Sequence, residues 1–235
     1  MSPYESLQED SFRGTTTSIE RQVWTQPANI ASPQTAVLFL DAELYIDRVH
    51  APAVMQKECP HALSVYVSNN GAAARHADYT CNPTYAQFIA EELLPWVLLQ
   101  HTTLDASRIV LAGLSLSGLA AADIALRYPD RFSHVICQSP SFWWENERFR
   151  KQISPRPQKH SAFWICVGDQ ETQTGVSHPP TGLRQNSTQI EACEHTREAL
   201  VQAGCTVSFC TYHGGHDPAC WRTDLELALP WSGSH

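Results

Sequence analysis

The stretch that decides the fold is RIVLAGLSLSGLAAADIALRYPDRF, residues 108–132. An apolar run from Ile109 meets a tight Gly-Leu-Ser-Leu-Ser-Gly turn, and a small-residue helical pattern follows. A buried strand turning sharply into a helix is the setting of the G-x-S-x-G nucleophile elbow, which lifts a serine hydroxyl above a sheet. Here the last glycine of that pattern is Ser117. The turn needs small residues two before and two after the serine, because neighbouring backbone passes close by. Ser115 meets this with Gly113 and Ser117, whereas choosing Ser117 would put Leu119 in the crowded slot. Ser115 is therefore the candidate nucleophile, with Gly118 relieving part of the crowding. The rival reading is a plain serine-rich turn between strand and helix.

A serine hydroxyl attacks only when a base takes its proton. On the elbow fold the acid and the histidine follow the serine in that order. His216 lies in HGGHD, directly after the last strand pattern, where two glycines let the loop bend toward the site. His213 is the local competitor but precedes the glycines. The acid belongs after the strand AFWICVG, where both Asp169 and Glu171 stand. Asp217 is a weaker choice because adjacent side chains diverge. His213, His216 and Asp217 spell H-x-x-H-D, and Cys193 with His195 spells C-x-H; neither is a usual zinc spacing. No metal and no cofactor is expected.

Outward from the elbow, apolar runs alternate with helical patterns. TSIERQVWTQP alternates like a half-exposed strand, TAVLFLDAE is a buried strand ending at Asp41, and ALSVYVSNN is another. PTYAQFIAEELLPWVLLQH has helical spacing interrupted at Pro95. FSHVICQSP, HSAFWICVGDQE and CTVSFCTYHGGHD read as strands, STQIEACEHTREALVQAG as a helix stopped by Gly204, and CWRTDLELALPW as the closing helix. The segments Lys151–Lys159 and Thr172–Asn186 read as surface loops. Alternation of this kind predicts an α/β fold, a mostly parallel central sheet flanked by helices on both faces. The 235 residues are expected to form a single domain, 1–235.

Composition narrows the partners. Net charge is −8, with no Lys/Arg-rich run, so nucleic acid and membrane surfaces are not expected. No stretch approaches the ~18 apolar residues of a membrane span, and MSPYESLQED is too polar for a signal peptide. Eight cysteines lack C-x-x-C spacing in a chain too long to need staples, so reduced thiols and a cytoplasmic setting are expected.

The combined pattern resembles the enterochelin esterase family of the α/β-hydrolases. LAGLSLSGLAAADIALRYPDRFSHVICQSPSFWW resembles that family's elbow, helix and next strand, and YHGGHDPACWRTDLELAL its GGHD-x-x-C-W segment. ARHADYTCNPTYAQFIAEELLPWV is similar to its R-x-x-E-L-x-C-N-x-x-F…ELLP segment, and VLFLDAE to its L-L-D-G-E strand end. The likeness runs from about Val37 to Trp231, so the catalytic domain alone is expected, without a separate N-terminal domain. It implies Ser115 as nucleophile, His216 as base, and Glu171 rather than Asp169 as acid, at the family's G-x-x-E position. It also implies an oxyanion hole from the N–H of Leu116 and that of Glu43 or Ala42. Arg75 would face an anionic catecholate, with Trp143 and Trp144 near the site. Three departures stand out: Ala42 and Ser117 for glycines, and Asp78-Tyr79 for Glu-Leu.

The expectation is thus a serine esterase whose partner is a small-molecule ester, by resemblance a catecholate siderophore trilactone, free or ferric. The alternatives are an esterase for aryl, feruloyl or thiol esters, and a binding protein that has lost turnover.

Overall fold

The computed structural model describes residues 4–154, 161–178 and 183–233. Eight strands form one sheet: β1 (Gln8–Arg13), β2 (Glu20–Gln26), β3 (Ala36–Leu40), β4 (Leu63–Val67), β5 (Ile109–Leu114), β6 (His134–Gln138), β7 (Ala162–Gly168) and β10 (Val207–Tyr212). Their spatial order is β1-β2-β4-β3-β5-β6-β7-β10. The first two pairings are antiparallel and the rest parallel. The apolar runs are continuous because helices cover both faces. In β3, Leu38 and Leu40 enter one core while Val37 and Phe39 enter the other, and in β5 Leu111 parts from Val110 and Ala112 in the same way.

Helices α3 (Ala72–Tyr79), α4 (Pro83–Gln87), α5 (Leu94–Gln100), α6 (Ser115–Arg127), α7 (Trp144–Gln152) and α8 (Gln189–Gln202) supply the first core. The second is covered by α1 (Ala42–Leu44), α2 (Ala51–Glu58) and α9 (Pro218–Ser232). Residues Phe88–Leu93, between α4 and α5, wind as π-helical turns. Pro95 follows directly in the first turn of α5, and wide turns of this kind accommodate a residue that lacks an N–H donor. The break expected at Pro95 is therefore a wide turn inside one continuous rod.

The sequence patterns miss several elements. Strand β1 is almost wholly exposed, so it carries no apolar alternation. Helices α1, α2, α3 and α7 are short or lack a clean apolar stripe. The supposed loop Thr172–Asn186 holds a small hairpin, β8 (Val176–His178) with β9 (Leu183–Gln185), while residues 179–182 lie outside the described part. Of the Lys151–Lys159 loop, Lys151 and Gln152 end α7 and residues 155–159 are not described.

Parallel strands align their C-terminal ends along one edge. The chain leaves that edge at Asp41 after β3, Ser115 after β5, Ser139 after β6, Glu171 after β7 and His216 after β10. Loops at this edge of an open α/β sheet are where ligands bind.

Candidate active site

Strand β5 enters the elbow extended at Leu114, and Ser115 turns left-handed, with φ +52°. A non-glycine residue there is strained. Gly113 makes the turn possible, since a Cβ on it would lie 2.1 Å from the carbonyl oxygen of Ser117. Ser117 fits the glycine slot by turning its hydroxyl back on the strand. Its Oγ donates to the Leu114 carbonyl at 2.7 Å and accepts from the Leu114 N–H at 2.9 Å. That side chain is fully buried, whereas Ser115 is half-exposed at the start of α6. The structure thus puts Ser115, not Ser117, at the open face of the turn.

His216 Nε2 lies 2.9 Å from Ser115 Oγ, and its Nδ1 lies 2.6 Å from Glu171 Oε2. The other oxygen of Glu171 accepts from Ser139 Oγ at 2.7 Å, the Gly168 N–H at 2.8 Å and the Tyr212 hydroxyl at 3.0 Å. Burial pushes the Glu171 carboxyl up in pKa, but the His216 bond and charge, with the Ser139 and Gly168 donors, hold it below the usual glutamate range. A carboxylate kept charged under cover is suited to hold the Nδ1 proton of an imidazole.

The two histidines and the two acids sort into separate pairs. His213 Nδ1 bonds Asp169 at 2.9 Å on an exposed surface. Asp217 caps α9, accepting from the Ala219 N–H at 2.8 Å, with Pro218 beside it at the helix start. Of the two glycines between the histidines, Gly214 has a steric reason, whereas a Cβ on Gly215 would meet open space. A Cβ on Gly214, at φ +145°, would lie 2.5 Å from Cys220 Sγ.

Three side chains around this relay were given no role by the sequence patterns, although Trp221 is the tryptophan of the GGHD-x-x-C-W segment. Trp221 stands edge-on to the His216 ring at 4.8 Å, and its indole N–H donates to Ser139 Oγ at 3.0 Å. Ser139, fully buried with φ +41°, donates a hydrogen bond to Glu171 and lies 2.6 Å from the Tyr212 hydroxyl. Ser139 and Tyr212 each sit at the C-terminal end of a parallel strand, which is the signal that could have found them.

Leu116 lies in the first turn of α6, where N–H groups lack intrahelical acceptors, and Ala42 and Glu43 open α1 in the same way. Strands β3 and β5 are neighbours, with Phe39 opposite Ala112, so Ala42 and Ser115 each follow three residues later. The Glu43 carboxylate faces away, toward Ser68 Oγ at 2.5 Å and the Asn69 N–H at 3.0 Å.

A cleft of about 1100 Å³ opens over Ser115, Leu116 and His216. Trp143 and Trp144 line it, with Arg75, His76 and four glutamines, Gln170, Gln173, Gln185 and Gln189. The Arg75 guanidinium is already engaged, forked on the Asp41 carboxylate at 2.5–2.9 Å. Among the described residues no cluster of three or more His, Cys, Asp or Glu is placed to hold a metal ion. Nor is any helix among them long and apolar enough to cross a membrane.

A family profile matches residues 32–232, spanning the elbow, Glu171 and His216. The chain belongs to the family described as "Putative esterase". Esterase relatives include an iron(III) enterobactin esterase of Dickeya dadantii, 28% identical over 90% of this chain and 51% of its own length. This chain thus spans about half of that relative. The solved enterochelin esterase from Shigella flexneri superposes with a TM-score of 0.80 at 21% identity, over 100% of this chain and 60% of that one. A solved ferulic acid esterase superposes with a TM-score of 0.72 at 18% identity, over 96% and 97% of the two chains. These likenesses establish the α/β-hydrolase fold.

Proposed function

We propose that this esterase works through an acyl-enzyme on Ser115. The observation that carries the reading is the unbroken chain of hydrogen bonds Ser115–His216–Glu171 at the mouth of the cleft. In the proposed reaction His216 Nε2 removes the Ser115 proton as Oγ attacks the ester carbonyl. Glu171 holds Nδ1–H and offsets the charge that forms on the ring. The N–H groups of Leu116 and of Glu43 or Ala42 receive the oxyanion, each such donor contributing about 3 kcal/mol to the transition state. His216 then protonates the leaving alcohol. Water, deprotonated by the same nitrogen, attacks the acyl-enzyme and returns Ser115.

The substrate we propose is a catecholate trilactone of the enterobactin type, free or iron(III)-loaded. Family membership and the enterobactin esterase relative support it, as does a cleft with two tryptophans for planar rings. A second reading, simpler aryl, feruloyl or thiol esters, is favoured by Arg75, whose charge is already met by Asp41. Five buried thiols, Cys59, Cys81, Cys137, Cys166 and Cys193, suit a reducing compartment, and we propose the cytoplasm.

The test sets a catecholate trilactone beside an uncharged aryl ester, with Ser115→Ala as control. Cleavage of the trilactone that disappears in the variant is the expected result. Cleavage of the aryl ester alone moves the protein to the second reading, and turnover that survives Ser115→Ala refutes the mechanism.

A further inference from the structure

Asp41 stands between β3 and α1 in a left-handed conformation, φ +66° and ψ +48°, and is fully buried. Every group on it is held. Its carboxylate takes the Arg75 Nε at 2.9 and 2.8 Å, the Arg75 terminal nitrogen at 2.5 Å and Asn69 Nδ2 at 2.7 Å. Its N–H donates to the Tyr79 hydroxyl at 3.0 Å, and its carbonyl accepts from the N–H groups of Leu44 and Tyr45. The Arg75 guanidinium lies 5.7 Å from the centre of the Tyr79 ring, so the arginine and the tyrosine brace each other as well as Asp41.

This residue sets the direction of the next two N–H groups, those of Ala42 and Glu43. A non-glycine residue keeps such a backbone only when its surroundings over-determine it. We propose that Arg75 and Tyr79 are positioning residues: through Asp41 they fix the turn that aims the Ala42 and Glu43 N–H groups at the oxyanion, and Arg75 does not receive an anionic part of the substrate. The inference rests on the ester-hydrolase reading above. It assigns a purpose to two departures from the family pattern together. Where the pattern has leucine, Tyr79 supplies a hydroxyl, and where it has glycine, Ala42 follows a turn clamped from outside.

The two roles for Arg75 differ in what they do to kinetics. A receptor for an anion acts on the affinity of charged substrates. A clamp on the oxyanion turn acts on kcat, whatever the charge of the substrate. The probes are para-nitrophenyl acetate, uncharged, and para-nitrophenyl succinate, whose acyl group carries a carboxylate. Tyr79→Phe is the mildest variant, deleting one hydroxyl at a buried site. It is expected to lower kcat on both esters by about tenfold or more, with KM nearly unchanged. Arg75→Gln is expected to do the same and Arg75→Lys to restore part of the loss. Asp41→Asn, which releases the guanidinium, is expected to lower kcat and leave the succinate ester no better bound. Thermal melting of each variant places the assays below its transition.

A folded Tyr79→Phe protein with wild-type kcat on both esters overturns the proposal. So does an Arg75→Gln effect confined to KM for the succinate ester, above all if Asp41→Asn tightens that KM. A wild-type protein with no Ser115-dependent turnover would instead defeat the ester-hydrolase reading, and it would show before any clamp variant is made.

Discussion

Two carboxylates two residues apart compete for one histidine, and burial separates them. The Glu171 side chain is 4% exposed and ringed by donors, whereas that of Asp169 is 44% exposed and spends itself on His213 and the Gly214 N–H. Glu171→Gln keeps the shape but replaces the charge that stabilises an imidazolium. Its kcat should fall about a thousandfold or more, while Asp169→Asn stays within a few-fold of wild type in the same ester assay. The reverse ranking would transfer the acid role to Asp169. As candidates that the fold brings within 2.9 Å of each other, Ser115 and His216 were legible in the sequence because each is marked by its own neighbours, a small-residue turn and a glycine pair. The Trp221–Ser139 and Asp41–Tyr79 contacts were not. Their partners lie 82 and 38 residues away in sequence, and only strand order brings them together. Arg75 was visible as a charge, but its counter-charge on Asp41 was not.

At the scale of the element, the elbow works because strand and helix are tied at their junction. Ser117 satisfies both main-chain groups of Leu114, which a glycine could not do. Ser117→Ala should therefore destabilise the protein by about 1 kcal/mol, read as a lower melting temperature. An unchanged melt would mean that the hydroxyl is not needed there. Gly113→Ala should be far more damaging, because its Cβ meets main chain rather than a movable side chain. Little folded protein is expected, measured by circular dichroism, and a normally folded variant would show that the elbow can relax. The sheet's buried strands were legible because runs such as Ala36–Leu40 are apolar on both faces. The exposed β1, the three-residue α1 and the π-helical turns before Pro95 left no such pattern.

For the whole molecule, the site is also part of the stability balance. Glu171 has a depressed carboxyl pKa, so its bonds to His216, Ser139 and Gly168 stabilise the fold when it is charged. That contribution is complete above the ordinary glutamate range, about 4.3, and is lost as pH falls through the lower folded value. The melting-temperature gap between wild type and Glu171→Gln should then be widest near neutrality and close on acidification below that range. A gap independent of pH would mean that the carboxylate adds no charge-dependent stability. The overall architecture was legible in the alternation of strands and helices. How five loops converge at one edge was not, because strand order is set by packing between segments far apart in sequence.

The central claim is that Ser115 is the activated nucleophile. Its most direct measurement is mass spectrometry of the protein after reaction with a fluorophosphonate, which traps an activated serine with loss of fluoride. One adduct on Ser115 is expected, strongly slowed in His216→Ala. An adduct on Ser117 or elsewhere, or labelling indifferent to His216, would contradict it.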